Sequence, residues 1–247
     1  MDLLIVSQLT KSFGGLAAVR DLDLTLGEGE IVGLIGPNGA GKTTVFNLIT
    51  GFLRPDSGKI YFKGGRIENL KPYQICKLGL ARTFQLVKPF SDMTLIENVV
   101  VGSIFGRSEK RIRLSEAKKT AAEVLEFVKL DSNKDALASN LTYGGKKRLE
   151  LAKALATGPR LLLLDEVMSG LTPVELEEFM EIVKAINSHF GVTVLLIEHV
   201  MRAVMKLAKM IYVLDHGVQI ACGSPLEISV NRLVIECYLG KVDNYSC

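Results

Sequence analysis

An unbroken apolar pentad, Ile31-Val32-Gly33-Leu34-Ile35, runs directly into Gly36-Pro37-Asn38-Gly39-Ala40-Gly41-Lys42-Thr43-Thr44. No other stretch restricts the fold so tightly. A strand that is apolar at every position must be covered on both faces, as in a parallel sheet flanked by helices. Glycines at 36, 39 and 41 let backbone N–H groups turn inward around an anion without Cβ clashes, and the helix behind adds the positive end of its dipole. The spacing Gly36-x-x-x-x-Gly41-Lys42-Thr43 is that of a phosphate-wrapping loop. Gly36, Pro37, Asn38, Gly39, Ala40, Gly41, Lys42, Thr43 and Thr44 are therefore candidate nucleotide contacts. Lys42 is expected on the β- and γ-phosphates, the Thr43 hydroxyl on Mg²⁺ and Thr44 on phosphate. The helix is expected to end at Gly51, a left-handed cap, with Pro55 beyond it.

Later segments alternate in the same sense. Leu161–Leu164, Val192–Ile197 and Ile211–Leu214 read as buried strands separated by helices. Thr172-Pro173-Val174-Glu175 opens one helix with a capping residue, a proline at the first position and a glutamate three after the cap. Leu176, Phe179, Val183 and Ile186 give that helix an apolar face. Such alternation predicts a parallel sheet with helices on both sides. Short strands near Leu3–Val6, Ala18–Leu26 and Ile60–Phe62 are expected around Gly-rich turns. Between about 86 and 157 the character changes, and Leu114, Ala117, Ala121, Val124, Leu125 and Val128 fall at helical spacing. The expected organisation is one α/β domain over 1–247. Residues 1–85 and 158–240 form its core with a β-subdomain, and 86–157 an inserted helical subdomain. The last residues, 240–247, are polar and expected to be loose.

The net charge of +3 is too small to argue for nucleic acid. The basic run Arg107-Ser108-Glu109-Lys110-Arg111-Ile112-Arg113 reads as a solvated face. Cys76, Cys222, Cys237 and Cys247 are scattered, so neither disulfides nor a zinc site is expected, and a reducing compartment is the simpler reading. No apolar run has the length of a bilayer span, and the N-terminus carries no signal-peptide pattern. A cytoplasmic chain is expected, whose partner supplies any membrane-spanning part.

Asp165 and Glu166 close the Leu161–Leu164 strand at its C-terminal edge, where parallel sheets place ligands. An acid there suits water-mediated Mg²⁺ binding at Asp165, and the next residue, Glu166, is the candidate for polarising an attacking water. The plain alternative for such a pair is a helix cap or solvent; the upstream phosphate loop favours the functional reading. His199 follows another buried strand and is a candidate γ-phosphate sensor, although most lone histidines are structural or surface residues. Gln85 offers an amide to Mg²⁺ and water, or is an ordinary polar residue. Phe13, before Gly14-Gly15, either stacks on adenine or belongs to the core. Leu141-Thr142-Tyr143-Gly144-Gly145-Lys146-Lys147-Arg148 is a Gly-bearing turn opening a basic helix.

Taken in order, Phe13, the loop at 36–44, Gln85, the turn at 141–145, Asp165-Glu166 and His199 resemble the A-loop, Walker A, Q-loop, signature, Walker B and switch histidine of the ATP-binding cassette (ABC) ATPases. The resemblance covers about residues 3–240. It implies a RecA-like P-loop NTPase core with a parallel sheet, an N-terminal antiparallel β-subdomain and an inserted α-helical subdomain. It implies ATP hydrolysis with Mg²⁺ held by Thr43, Gln85 and Asp165, and catalysis by Glu166, His199, Gln85 and Lys42. Thr142 and Gly144 would meet the γ-phosphate of ATP held by a second ABC ATPase subunit, in a homodimer or heterodimer. Gly14-Gly15-Leu16-Ala17-Ala18-Val19, Asn47 to Gly58 and Ala81-Arg82-Thr83-Phe84-Gln85 further resemble the LivG-type subunits of branched-chain amino acid importers. That implies two transmembrane permeases, a periplasmic or extracellular solute-binding protein acting indirectly, no nucleic acid, and a place on the inner face of the cell membrane. Leu86 to Met93 would then receive a permease helix. Alternatives are another cargo (urea, amides or lipopolysaccharide), a soluble ABC ATPase acting on DNA or ribosomes, or a regulatory subunit that does not hydrolyse. Three departures stand out. Gly145 replaces the usual Gln of the signature, Val167 the usual Pro after the catalytic Glu, and Met168 to Thr172 lacks the common Asp of the D-loop.

Overall fold

A computed structural model describes residues 1–106 and 112–239. Residues 107–111 of the basic run, and Cys247 with the rest of the 240–247 tail, lie outside the described residues. Two compact units divide the chain: Met1–Asn69 together with the chain from Leu195 onward, and Leu70–Val194.

In the first unit, β1 (Asp2–Phe13) and β2 (Leu16–Gly27) form a long antiparallel hairpin. Both strands exceed the short segments expected from alternation. Register shifts between Val6 and Leu9, and again between Leu9 and Lys11, change the in–out phase while pairing continues, so the sequence pattern breaks where the strand does not. β3 (Ile31–Ile35) is buried at every position and leads through the phosphate loop to α1 (Lys42–Ile49). Gly51 then turns left-handed at φ 74°, as expected. β4 (Ser57–Phe62) and β5 (Gly65–Arg66) complete an antiparallel sheet of order β2-β1-β4-β5. Asp56 fastens the hairpin end by accepting from the Ser12 N–H at 2.7 Å and from Lys11 Nζ at 2.6 Å.

The second unit contains α2 (Pro72–Leu78), β6 (Leu80–Arg82), α3 (Leu95–Phe105), α4 (Leu114–Phe127), α5 (Tyr143–Leu155), β7 (Leu161–Asp165) and α6 (Pro173–Phe190). β6 and β7 pair in parallel, with Arg82 opposite Leu163. Each of Leu161 to Leu164 is fully buried, worth about 1.5–3 kcal/mol per side chain relative to exposure. α4 buries Ala117, Ala121, Val124 and Leu125 on the expected face. Leu114 does not join them and is exposed. It is the first helical residue, and side chains there tilt towards the N-terminus, off the packed turns. α6 opens with the expected reciprocal cap. The Thr172 hydroxyl accepts from the Glu175 N–H at 3.3 Å, and the Glu175 carboxylate accepts from the Thr172 N–H at 2.9 Å. Its face of Leu176, Phe179, Val183 and Ile186 is buried.

β8 (Thr193–Ile197) carries the chain back to the first unit, which continues with α7 (Met201–Leu207), β9 (Met210–Asp215), β10 (Val218–Gly223), α8 (Pro225–Ser229) and α9 (Arg232–Leu239). β3 runs parallel to β9, and β10 is antiparallel to β9. The Tyr212 hydroxyl donates to the Thr25 carbonyl and accepts from the Thr25 N–H, locking β9 to β2. Parallel strand pairs, an N-terminal antiparallel sheet and a helical stretch from Leu95 to Leu155 are the components of the expected α/β fold.

Candidate active site

The phosphate loop lies in the first unit. Gly36 and Gly41 have φ of 150° and 102°, and a Cβ on either would sit 2.1 Å from the Leu214 carbonyl oxygen or 2.2 Å from that of Ala18. Only glycine fits both places. The backbone therefore bends tightly between them, as a cradle for phosphate oxygens requires. Lys42 is buried, and its ammonium donates to the Gly36 carbonyl at 2.7 Å and the Pro37 carbonyl at 2.9 Å. This folds a cation over the loop mouth, where an anion's oxygens can replace the two carbonyls. Thr43 and Thr44 stand in the first turn of α1, which carries no acidic residue there to oppose an anion.

Tyr238 of α9 also reaches this loop: its hydroxyl accepts from the Gly36 N–H. Burial pushes that hydroxyl up to about 12, with the Gly36 hydrogen bond pulling the other way. Phe13 ends β1 with its ring half-exposed and Lys11 Nζ 5.6 Å from the ring centroid. It is not core, so the open ring remains available for stacking. His199 is exposed, one residue beyond the buried Glu198 at the end of β8.

The acidic residues and the signature turn lie in the second unit. Asp165 ends β7, buried, and its Oδ2 accepts from Arg82 Nη2 at 2.7 Å. Its N–H donates to the Thr83 hydroxyl at 3.2 Å, so Arg82 at the end of β6 and the residue after it position both ends of Asp165. Glu166 is thrown out of the strand by a left-handed backbone, φ 50°. Its carboxylate accepts from Gln85 Nε2 at 2.7 Å. A Gln85 amide whose nitrogen is so engaged keeps its oxygen for another partner, such as a cation. Among the described residues no group of three or more His, Cys, Asp or Glu can enclose a metal. Within this unit a lone carboxylate and an amide oxygen fit Mg²⁺, which takes few protein ligands and completes its shell with water and phosphate.

Thr142 caps α5, its hydroxyl accepting from the Gly145 N–H at 3.2 Å and keeping its own hydrogen to donate. Gly144 packs so closely on α6 that a Cβ would lie 2.4 Å from Glu175 Oε1. The turn thus presents a capped helix N-terminus, which attracts anions.

Within the second unit the structure brings together Gln85, Asp165 and Glu166, as the sequence suggested. It adds two residues that residue type and order alone do not single out, Arg82 and Lys147. Arg82 lies inside the motif at 81–85, and an arginine ending a buried strand needs a partner acid. Lys147 is one of several basic residues in α5, but it stands three residues after the buried Gly144 and four before the buried Leu151, on the inner face. Tyr238 had no signal in its neighbourhood.

A family model described as ABC transporter matches residues 19–169. The chain is 44% identical over 250 residues to the high-affinity branched-chain amino acid transport ATP-binding protein LivG of Salmonella typhimurium, covering 97% of this chain and 98% of that protein. It is 41% identical to the corresponding protein BraF of Pseudomonas aeruginosa, with the same coverage. Among solved structures, it is similar to a nucleotide-free ATP-binding cassette from an ABC transporter, with TM-score 0.89, 31% identity, and coverage of 98% of this chain and 100% of that one. It is also similar to a dimeric cassette in a post-hydrolysis state bound to ADP and Pi, with TM-score 0.81, 25% identity, and coverage of 90% and 98%.

Proposed function

Because the chain belongs to the ABC transporter family of ATP-binding subunits, we propose that it hydrolyses ATP to drive an importer for branched-chain amino acids. The observation that carries the catalytic part is the Gln85–Glu166 hydrogen bond of 2.7 Å beside the buried Asp165. It places a carboxylate and a cation-seeking amide together at the end of a parallel strand, and the same chain carries the phosphate loop. The cargo rests on the likeness to LivG and BraF over nearly the whole chain.

In this reading the N–H groups of residues 38–44 wrap the ATP phosphates, and Lys42 exchanges the Gly36 and Pro37 carbonyls for β- and γ-phosphate oxygens. Phe13 stacks on the adenine. Thr43, Gln85 and Asp165 would hold Mg²⁺, which would supply positive charge to offset that developing on the phosphates. Glu166 accepts the proton of the water that attacks the γ-phosphorus in line; the bond to the ADP oxygen breaks, and ADP and phosphate leave. His199 hydrogen-bonds the γ-phosphate and reports its presence. Thr142 and Gly144 reach the γ-phosphate held by a second subunit, a copy of this chain or a sister ATPase, so ATP joins the pair and hydrolysis releases it. Two permeases follow that cycle, contacted through the 86–93 segment of the helical subdomain (86–157), and a solute-binding protein delivers cargo from outside. Among the described residues no helix is long and apolar enough to cross a membrane. Permease contact would therefore hold the subunit at the inner face.

Two measurements test this. Glu166→Gln is expected to cut turnover to a small, still measurable residual rate and to give an ATP-dependent dimer by size exclusion, alone or with the sister subunit. Co-expression with candidate permeases and a solute-binding protein is expected to give ATP-dependent leucine uptake. Parental turnover in Glu166→Gln refutes the catalytic assignment, and uptake of urea but not leucine refutes the cargo.

A further inference from the structure

Lys147 is 2% exposed. Lysine is almost never buried so fully without partners that repay its desolvation. Here the ammonium donates to the Glu166 carbonyl oxygen at 3.0 Å and to that of Gln85 at 3.4 Å, and it lies 5.3 Å from the centroid of the Tyr143 ring. The Tyr143 ring packs in turn on Gly170, where a Cβ would meet it at 3.2 Å. One side chain thus joins the signature helix to the backbone of the Gln85 segment and to the peptide that carries the water-polarising acid.

That peptide needs support. Glu166 is not glycine, yet its φ is 50°, a conformation costing an L-residue about 1–2 kcal/mol. Such strain persists where the surroundings over-determine it, and it concentrates at functional sites. The Lys147 hydrogen bond falls on the strained residue's own carbonyl.

We propose that Lys147 is a positioning residue for Glu166. It holds the left-handed peptide that keeps the Glu166 carboxylate on Gln85, and it makes that posture depend on how the signature helix is seated. A pull on the N-terminus of α5 by a partner's nucleotide reaches the carbonyls of residues 85 and 166 through this ammonium. The proposal deepens the ATPase reading and rests on it.

The test measures ATP turnover of the full chain, normalised to nucleotide-binding sites counted with a fluorescent ATP analogue, so that misfolded molecules do not enter. Lys147→Met keeps the aliphatic stem and removes the donor; Lys147→Gln, neutral and shorter, gives a second variant if Met does not fold. Either is expected to lower kcat about 10- to 100-fold, as a misplaced catalytic group does, with KM for ATP unchanged to within about twofold. Lys147→Arg restores most of the loss. In a Glu166→Gln background Lys147→Met causes no further loss, because the group it positions is already gone. Parental kcat per counted site in Lys147→Met, with only a lower melting point, overturns the proposal. The same fractional loss in the Glu166→Gln background overturns it too. A Glu166→Gln chain as active as the parent overturns the role of Glu166 and the proposal with it, whereas a parent chain that hydrolyses no ATP overturns the ATPase reading itself, so the two failures are distinguished.

Discussion

Arg82→Met removes a guanidinium from a carboxylate it meets at 2.7 Å, where the two side chains are only 6% and 3% exposed. A solvent-exposed pair of the same geometry contributes about 0–1 kcal/mol. Burial changes the outcome, because the Asp165 carboxylate would remain where water does not reach it. Breaking a buried pair from one side costs about 3–5 kcal/mol, a large part of a domain stability of about 5–15 kcal/mol. Methionine keeps most of the stem, so the change is chiefly one of charge. Replacing both partners, Arg82→Met with Asp165→Leu, removes the stranded charge and is expected to return stability to within about 1 kcal/mol of the parent. The assay is urea unfolding followed by far-UV circular dichroism, since the chain has no tryptophan. With an m-value of about 3 kcal/mol per M, the single variant's midpoint falls by about 1–1.7 M. A fall below about 0.3 M, corresponding to about 1 kcal/mol, would refute the argument. A double variant as unstable as the single would also refute it.

Gly41→Ala forces a Cβ against the Ala18 carbonyl at φ 102°. The strain of about 1–3 kcal/mol is expected to weaken nucleotide binding roughly ten- to hundredfold; parental affinity by calorimetry would count against the cradle geometry. Glu97, Glu175 and Glu227 are held below the usual carboxylate range by the backbone N–H groups they accept at the caps of α3, α6 and α8. Their folded values lie below an unfolded value of about 4.3, so the stability they add is complete above that pH and is lost as pH falls through the lowered values. Glu175→Gln should flatten the acid decline of the urea midpoint between pH 5 and pH 3 (about one unit either side of the unfolded value), and an unchanged decline would contradict this. Tyr238, pushed up to about 12, behaves oppositely: its contribution is complete below an ordinary tyrosine value of about 10 and is lost as pH rises towards about 12. Tyr238→Phe should delete the latest-ionising component of an ultraviolet titration; loss of an early component instead would show the hydroxyl to be solvated.

What was legible in the sequence is what local chemistry dictates. β3, β7 and β8 announce themselves as unbroken apolar runs, since strands covered on both faces tolerate nothing else. The α6 cap is written in four residues, Thr172 to Glu175. The same code at Ser224-Pro225-Leu226-Glu227 opens α8, but five residues leave no room for a periodic face to draw attention to it. β10 stayed hidden because it is only partly buried along most of its length and lacks an apolar run. For the site, residue types and order pointed to Gln85, Asp165 and Glu166. The partners Arg82 and Lys147 did not emerge, because a single charged residue on an inner face shows its meaning only when the group it meets is known. That group is 83 residues away for Arg82 and 19 for Lys147.

The left-handed backbone at Glu166 sets endurance against turnover at that one position. Gly and Asn accept such a φ at least cost, and Val, Ile and Thr at most. Glu166→Gly or Glu166→Asn would therefore relax the chain while removing its carboxylate. A library of variants selected for heat resistance or yield would enrich at this position the proteins least able to use ATP. One selected for uptake would keep the glutamate and accept its conformational burden. The two selections would diverge at residue 166 before they diverge at the solvent-exposed positions.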